Sequence, residues 1–547
     1  MTVPSATDRA KFETTKRLLA QIINEGLASA TVEESVVEPT QQRQRQLCIQ
    51  NSSNNADSEW VKVNLKLNAF VDVDHDGKVR SLVLPESLEP PVITKRLKQG
   101  GVKEVLSPDE IFRFVIPWFV GAVGDTVSID QIASQFRNSA EHQEAPLKPI
   151  NGVDLPSMLM PDLAFVSVPR ADMQVVGPFE QTIEPLLKTL EVVDETISTA
   201  AAADNERIIV PCFARQLPAI FLHFPNAVFT KSVEKCADAQ ASMRTVTVHP
   251  DLKFDYHLKL SLGCQLTSGL RLIGPWVASA GPIFSELLDK LLPPDLWLYK
   301  EIASATGAQA EYIKGGQLSC ILREDLEPRA RSNNQALIMS GALAQRPLYR
   351  DNRSYAEILF ALETEEEKKS WFARYLACAF KIILTPLVRH GIGMEAHSQN
   401  LVARVCLRTK QVIGFAIRDF GGVKLHMPTL ESQGFGIDPS RLARDGTAMT
   451  DKLEDVWSKV HHALLQNHIG NLISAMGLDT NGVGWEIVRE ELATSLLNDE
   501  HSGTAGREIY EYFMRETMPF KCFLKMKMEG KYRDCIDRDL PNVVLSK

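Results

Sequence analysis

The stretch that decides this chain runs from His390 to Gly422 and reads HGIGMEAHSQNLVARVCLRTKQVIGFAIRDFGG. Leu401 to Leu407 is a β-type run, Arg408 to Gln411 a polar turn, and Val412 to Ile417 a second β-type run, so the pattern predicts a hairpin. A hairpin brings its outer ends together, which sets Glu395, His397 and Asn400 against Asp419. Two carboxylates and an amide oxygen at one point suit a hard cation that prefers oxygen ligands, most naturally Mg²⁺ carrying a nucleotide. Glu395, Asn400 and Asp419 are therefore the candidate metal ligands, with His397 beside the phosphates. For any one of them taken singly, a buried polar network closing the hairpin explains it as well.

Around this stretch lies a chain of 547 residues, too long for one core and expected to hold about three packed regions. The expected division is 1–150, 151–345 and 346–547. A net charge of −9 excludes nucleic acid as the main partner, while leaving local phosphate sites open. Nine cysteines without a CxxC pair indicate neither a disulfide framework nor a zinc site, and reduced thiols in the cytoplasm are expected. Phe12 to Leu27 has the pattern of an amphipathic helix, and no signal peptide is expected at the N-terminus. The longest apolar run, Phe114 to Val123, is too short to span a bilayer, so no membrane partner is expected.

Along the chain, Glu33 to Ser58 is polar and is expected to be an exposed loop. Trp60 to Val71 and Val79 to Leu84 alternate as strands do. Between them, Asp72-Val-Asp-His-Asp-Gly77 mimics the start of an EF-hand loop. That loop needs a glutamate at its twelfth position, where Val83 stands, and helices where the flanks are strand-like, so a hairpin turn is the better reading. Phe254 to Leu262 is a further strand with Lys259 inside it, and Thr267, Ser268 and Arg271 follow at what reads as the first turn of a helix. Lysine, hydroxyls and arginine so placed make an oxyanion cradle. A solvated surface lysine with a Thr or Ser N-cap is the plain alternative.

Residues 346–547 read as helical around the hairpin. Thr364-Glu-Glu-Glu367 is a capping box opening a helix with Phe372, Leu376, Phe380 and Ile383 on one face, which ends near Pro386 and Gly391. Asp451 to Met476 reads as another helix; its His461, His462 and His468 lack carboxylate company and are expected at core or surface positions. Lys521, Lys525, Lys527 and Lys531 alternate with apolar residues as on an amphipathic strand with a basic face.

At these residues the sequence resembles the synthetases of siderophores made without a non-ribosomal peptide synthetase, the aerobactin, achromobactin and alcaligin type. Ser242-Met-Arg-Thr245 is similar to the family's Ser-x-Arg-Thr, which contacts nucleotide phosphates. Lys259 with Thr267-Ser-Gly-Leu-Arg271 is similar to its Lys…Thr-Ser-x-x-Arg element, which holds phosphate and substrate carboxylate. Glu395-Ala-His397-Ser-Gln-Asn400 resembles its Glu-Ala-His-x-Gln-Asn signature, Arg418-Asp419-Phe-Gly-Gly422 its Arg-Asp-Phe-x-Gly, and the Lys521 region its C-terminal lysine element. The resemblance implies an α+β cupped hand of thumb, fingers and palm, with antiparallel sheets, helices and a kinase-like palm. It implies an ATP- and Mg²⁺-dependent ligase that adenylates a carboxylate of citrate or a similar polycarboxylic acid, then passes the acyl group to an amine or alcohol. Ser242, Arg244, Thr245, Lys259, Thr267, Ser268, Arg271, His397, Asn400 and Arg418 would contact the nucleotide, with His397, Arg271 and Lys259 catalytic. A homodimer is a further expectation, since relatives commonly pair.

Two departures stand against a full transfer of function. Citrate-using members carry a Gly-His-Pro-x-His-Pro segment after a Phe-Glu-Gln-type helix; here Phe179-Glu-Gln-Thr-Ile183 is followed by EPLLKTLEVV, without histidine. Val210-Pro-Cys-Phe-Ala214 stands where relatives have Val-His-Pro-Trp. Citrate and a siderophore product are thereby in question. Two other readings stay open: a kinase-like phosphotransferase, because His397-x-x-Asn400 and Asp419-Phe-Gly resemble a kinase catalytic loop and DFG, and a catalytically silent homologue.

Overall fold

The computed structural model describes residues 5–37, 42–51, 59–67, 69, 71–96, 101–119, 123–124, 127–144, 159–192, 206–242, 244–266, 269–309, 311–347, 353–442, 448–479, 481–498, 503–530 and 536–546. The architecture is mixed α/β, and every sheet is built of antiparallel pairs except for two parallel pairings.

The first sheet is a five-stranded meander, Ser29–Val37, Gln42–Gln50, Trp60–Leu65, Leu88–Lys95 and Val102–Glu104, in sequence order. Leu47, Ile49, Val61, Val63 and Val92 leave it for a core shared with the helices Ala6–Asn24 and Pro108–Val115. The polar stretch expected as a loop is thus largely two paired strands, with Val37 opposite Gln42; residues 38–41 and 52–58 lie outside the described part. Few side chains in it alternate by polarity, so its strand character comes from pairing with the neighbouring strand Trp60–Leu65. The expected strands on either side of Asp72 shorten: the first ends at Leu65, and the second is reduced to isolated bridges from Lys78 to Thr31 and from Val79 to Val73. Asp74 caps its own turn, Oδ1 accepting from the backbone N–H of Asp76 (3.0 Å) and Lys78 (2.9 Å), and Gly77 takes φ +74°.

The second sheet has six strands in the order Ala237–Ala239, Thr245–Val248, Tyr256–Leu260, Ser319–Glu324, Glu301–Gly307, Met173–Val176. A smaller sheet of Arg207–Phe213, Leu163–Pro169 and Val228–Val233 shares its core. The third region centres on four strands, Leu296–Leu298, Val412–Ile417, Leu401–Cys406 and Gln335–Met339, packed on the helix Glu365–His390. Only Tyr299 and Lys300 separate the strand of this sheet ending at Leu298 from the strand of the six-stranded sheet beginning at Glu301. The two sheets are therefore joined covalently at one corner, and the site lies there.

Helix Glu365–His390 starts at the Thr364/Glu367 capping box and stops at Gly391, which takes the left-handed conformation. By length and composition it is the one described helix apolar enough to cross a bilayer, but Phe372, Leu376, Phe380 and Ile383 are fully buried in the third core. Phe114 to Phe119 instead ends a short helix and a 3₁₀ turn. Asp451 to Met476 is helical from Leu453, with a π-helical stretch at His461–Ile469. The C-terminal lysine stretch corrects a sequence expectation: Thr517–Lys521 is a strand, but Phe523–Met528 is a helix. Leu524, Met526 and Met528 are all buried, a spacing of two and four that the strand reading took for alternation. Leu524 and Met528 join the first core, at the far end of the chain from the rest of it. The described cysteines are all free thiols.

Candidate functional site

The hairpin forms as the pattern predicts. Leu401 faces Ile417 in the register, and the Arg418 N–H donates to the Asn400 carbonyl at 3.2 Å, so the residues flanking the strands are held together by backbone. Before the first strand, the Asn400 N–H donates to the His397 carbonyl (2.9 Å) and Asn400 Nδ2 to the Glu395 carbonyl (3.4 Å). This small turn places Glu395, His397 and Asn400 on one wall. After the second strand, Asp419 turns at φ +66° and ψ +85°, a conformation unusual for a side-chain-bearing residue, and Phe420–Gly422 continues as a 3₁₀ turn. A Cβ at Gly422 would overlap the Glu395 carboxylate, so the second glycine gives Glu395 its space.

Lys259 comes to this corner from the six-stranded sheet. Its Nζ contacts Asp419 and lies 2.9 Å from Glu301 Oε1. Lys259 is 2% exposed and Glu301 0%, whereas the Asp419 side chain keeps 30% of its surface. The solvated-lysine alternative is therefore not what the structure shows. Thr245 is the register partner of Lys259 and is buried; its Oγ1 donates to Ser242 Oγ at 3.4 Å. Gln399 Nε2 reaches the Ala241 carbonyl at 3.4 Å, tying the Ser242 loop to the hairpin wall.

Arg244 spends Nη1 on the carbonyls of Leu272 (2.9 Å) and Arg271 (3.3 Å). Arg271 itself touches none of the hairpin residues through a described bond, and its buried Nε has no hydrogen-bond partner. It stands on the strand Gly269–Arg271, paired through Leu262, and not on a helix. The helix begins later, at Pro275, where proline's fixed φ suits a first turn after Gly274. Thr267 and Ser268 lie outside the described residues.

Charge accounts for the ionisation of Asp419. Burial alone would raise its carboxyl, but Lys259, Arg323 and Arg244 reverse this and hold it well below the ordinary carboxylate range. His397 is pushed below its usual value first by burial; Glu395 and Asp419 oppose this while Lys459 and Arg418 add to it. A neutral imidazole results, and because Nδ1 accepts from the Gln399 N–H at 3.2 Å, the proton is assigned to Nε2.

Three contributors escaped the sequence reading. Glu301 pairs with Lys259. Lys459, on the helix Leu453–Val460, pairs with Glu395. Arg323, 1% exposed, donates to Gln240 Oε1 (2.6 Å) and to His257 Nδ1 (3.3 Å), while His257 Nε2 lies 3.1 Å from Asp325. Glu301 follows Lys300 and Arg323 precedes Glu324 and Asp325 at the ends of apolar strands, and Lys459 lies in a helical run, so each reads as an ordinary solvated charge in the sequence. His461, His462 and His468 meet Asn542, Gln466 and Tyr375 respectively, the neutral partners expected of packed histidines.

Among the described residues no cluster of three His, Cys, Asp or Glu side chains has metal-holding geometry. The donors present still fit a hard cation. Asp419 and Glu395 each hold a lysine ammonium, a cation in the place a metal would take, and Mg²⁺ commonly binds through one or two carboxylates with nucleotide phosphates and water completing the shell.

The IucA/IucC family model matches residues 187–345, and a model described as a ferric iron reductase FhuF-like transporter matches residues 369–534. The NRPS-independent siderophore synthetase-like protein ankE of Aspergillus thermomutatus is 39% identical over 98% of this chain and 93% of its own. The petrobactin biosynthesis protein AsbB of Bacillus anthracis superposes with a TM-score of 0.76 at 17% identity, covering 98% of this chain and 96% of that one. ATP-bound aerobactin synthetase IucA of Klebsiella pneumoniae gives 0.69 at 12% identity, over the full length of both. The fold and these likenesses define a siderophore-synthetase type of ligase. The chain belongs to the IucA/IucC family of NRPS-independent siderophore synthetases.

Proposed function

We propose that this protein is an ATP-dependent ligase that activates a carboxylate of a polycarboxylic acid as an acyl adenylate and transfers the acyl group to an amine or alcohol. The observation that carries this reading is the Lys259–Asp419 contact, which joins strands 160 residues apart at a corner that also gathers Arg244, Arg323 and Arg418. Joining a carboxylate to a polyphosphate brings anions together, and clustered cations offset that repulsion.

In the first step a substrate carboxylate oxygen attacks the α-phosphorus of ATP, the bond to the bridging oxygen breaks, and pyrophosphate leaves. In the second, the amine or hydroxyl attacks the acyl carbon, AMP leaves with the bonding electrons, and the nucleophile loses its proton. Lys259 and Arg244 offset phosphate charge; Ser242, Thr245 and Arg418 orient the nucleotide, as would Thr267 and Ser268. The unpartnered Nε suits Arg271 to a carboxylate beside the α-phosphate. His397, neutral and protonated on Nε2, donates to the oxygen whose charge grows at phosphorus. Glu395, Asn400 and Asp419 would hold Mg²⁺, which neutralises the triphosphate.

Three main cores accompany the proposed division into 1–150, 151–345 and 346–547 as thumb, fingers and kinase-like palm, although the first takes Leu524 and Met528 from the last part and the third takes Phe284, Leu288, Leu298 and Leu343 from the middle one. The hairpin with its Asp419-Phe-Gly turn also favours a phosphotransferase as the second reading. An ATP–pyrophosphate exchange screen over di- and tricarboxylic acids, citrate included, decides. Exchange with one acid, lowered at least tenfold in His397→Ala, is expected, a loss equivalent to about 1.4 kcal/mol or more. ADP in place of AMP would transfer the assignment to a phosphotransferase, and silence with every acid would leave a non-catalytic homologue.

A further inference from the structure

Lys259 is held by two carboxylates of different kinds. Asp419 is partly exposed and belongs to the hairpin; Glu301 is sealed, on a strand of the same sheet as Lys259. Glu301 cannot serve as a metal ligand, because it lies behind the ammonium with no exposed surface. Its backbone N–H donates to Ser285 Oγ at 2.9 Å, its Oε2 has no hydrogen-bond partner, and a Cβ at Gly281 would overlap that oxygen. A carboxylate buried this deeply, with one oxygen unmatched, is costly to the fold and calls for a purpose beyond packing.

We propose that Glu301 is the positioning residue for Lys259, and that Lys259 is a place-holder for the divalent cation at Asp419. This rests on the nucleotide reading above. While the site is empty of metal, the ammonium neutralises Asp419. When a cation takes Asp419, Lys259 must leave it, and a buried ammonium without a counter-charge would resist leaving. Glu301 supplies the second counter-charge, so Lys259 keeps a partner as it swings to a phosphate oxygen. The exchange moves no proton and breaks no covalent bond; two cations change anions.

The test is a double-substitution cycle read by binding. Wild type, Glu301→Gln, Lys259→Met and the double variant are titrated with Mn²⁺ alone, by electron paramagnetic resonance, and with a Mg²⁺-loaded non-hydrolysable ATP analogue, by calorimetry. Glu301→Gln leaves Lys259 to Asp419, so both Mn²⁺ and nucleotide should bind about tenfold or more weakly. Lys259→Met frees Asp419, so Mn²⁺ should bind at least as tightly as in wild type while nucleotide weakens. With Lys259 gone, adding Glu301→Gln should change neither affinity by more than about twofold. Glu301→Asp should recover part of the loss. Gly281→Ala displaces the same carboxylate without removing it, and should reproduce the Glu301→Gln loss if that variant folds poorly. An effect of Glu301→Gln that persists undiminished beside Lys259→Met, or affinities unchanged in Glu301→Gln, overturns the proposal alone. A wild type that binds no Mg²⁺-nucleotide overturns the nucleotide reading, and this proposal with it.

Discussion

Asp419 is the residue on which the two halves of the corner depend. Its left-handed backbone is one that asparagine adopts readily, so Asp419→Asn removes the charge with little strain. The expected outcome is a melting temperature near wild type and Mg²⁺-dependent nucleotide binding weakened about 100-fold, some 2.7 kcal/mol, measured by calorimetry. At this scale the sequence showed the hairpin residues because they are polar, clustered and only one hairpin apart. It did not show Glu301, Arg323 or Lys459. Thr245 opposite Lys259, and Glu301 opposite Arg323, become neighbours only once the strand order is known, and that order follows from long-range pairing that no local pattern encodes. Arg271 marks the opposite error: its residue type was noted correctly, but a helix was expected where hairpin pairing with Leu262 wins.

Among elements, the helix Glu365–His390 was readable end to end because both of its signals are local, the capping box at Thr364 and the left-handed Gly391. Thr364→Ala should cost about 1 kcal/mol in denaturant unfolding, since the Glu367 N–H loses its acceptor. Phe380→Ala, at a fully buried position in the same helix, should cost about 3–5 kcal/mol in the same measurement. The strand Gln42–Gln50 was unreadable for the converse reason. Gln42 to Gln46 carry no apolar face, and only the neighbouring strands make them part of a sheet. The 3₁₀ turn after the hairpin offers a separate test. Gly422→Ala should displace Glu395 and weaken metal-dependent nucleotide binding, with circular dichroism unchanged; normal binding would show that Glu395 is not a ligand.

For the whole molecule, buried histidines set the response to acid. Burial pushes His257 and His468 down to about 4 and His461 to about 3. Their unfolded counterparts, near 6.5, take up protons as pH falls from about 6.5 towards 4, while the folded ones do not. Stability is therefore lost over that window, by about 1.4 kcal/mol for each unit of depression. Glu25, raised to about 7 by burial, works the other way: between about 7 and 4.5 the folded state binds its proton and the unfolded one does not. Three groups outweigh one, so calorimetry should show a melting temperature that falls steadily from pH 7 to pH 5. The general plan of several cores around a mixed fold was legible from length and patterning. The borrowing between the first core and the last elements was not, because Leu524 and Met528 lie among lysines and look like a surface strand.

That borrowing reaches into synthesis. The Glu25 carboxylate accepts the backbone N–H groups of Leu524 and Lys525, a closure across 499 and 500 positions. Translation must pass Met528 before the earliest core receives the Leu524 and Met528 side chains. Nascent chains arrested near residue 510 should leave the opening meander open to protease, and chains extended until Met528 has cleared the ribosome should shut it.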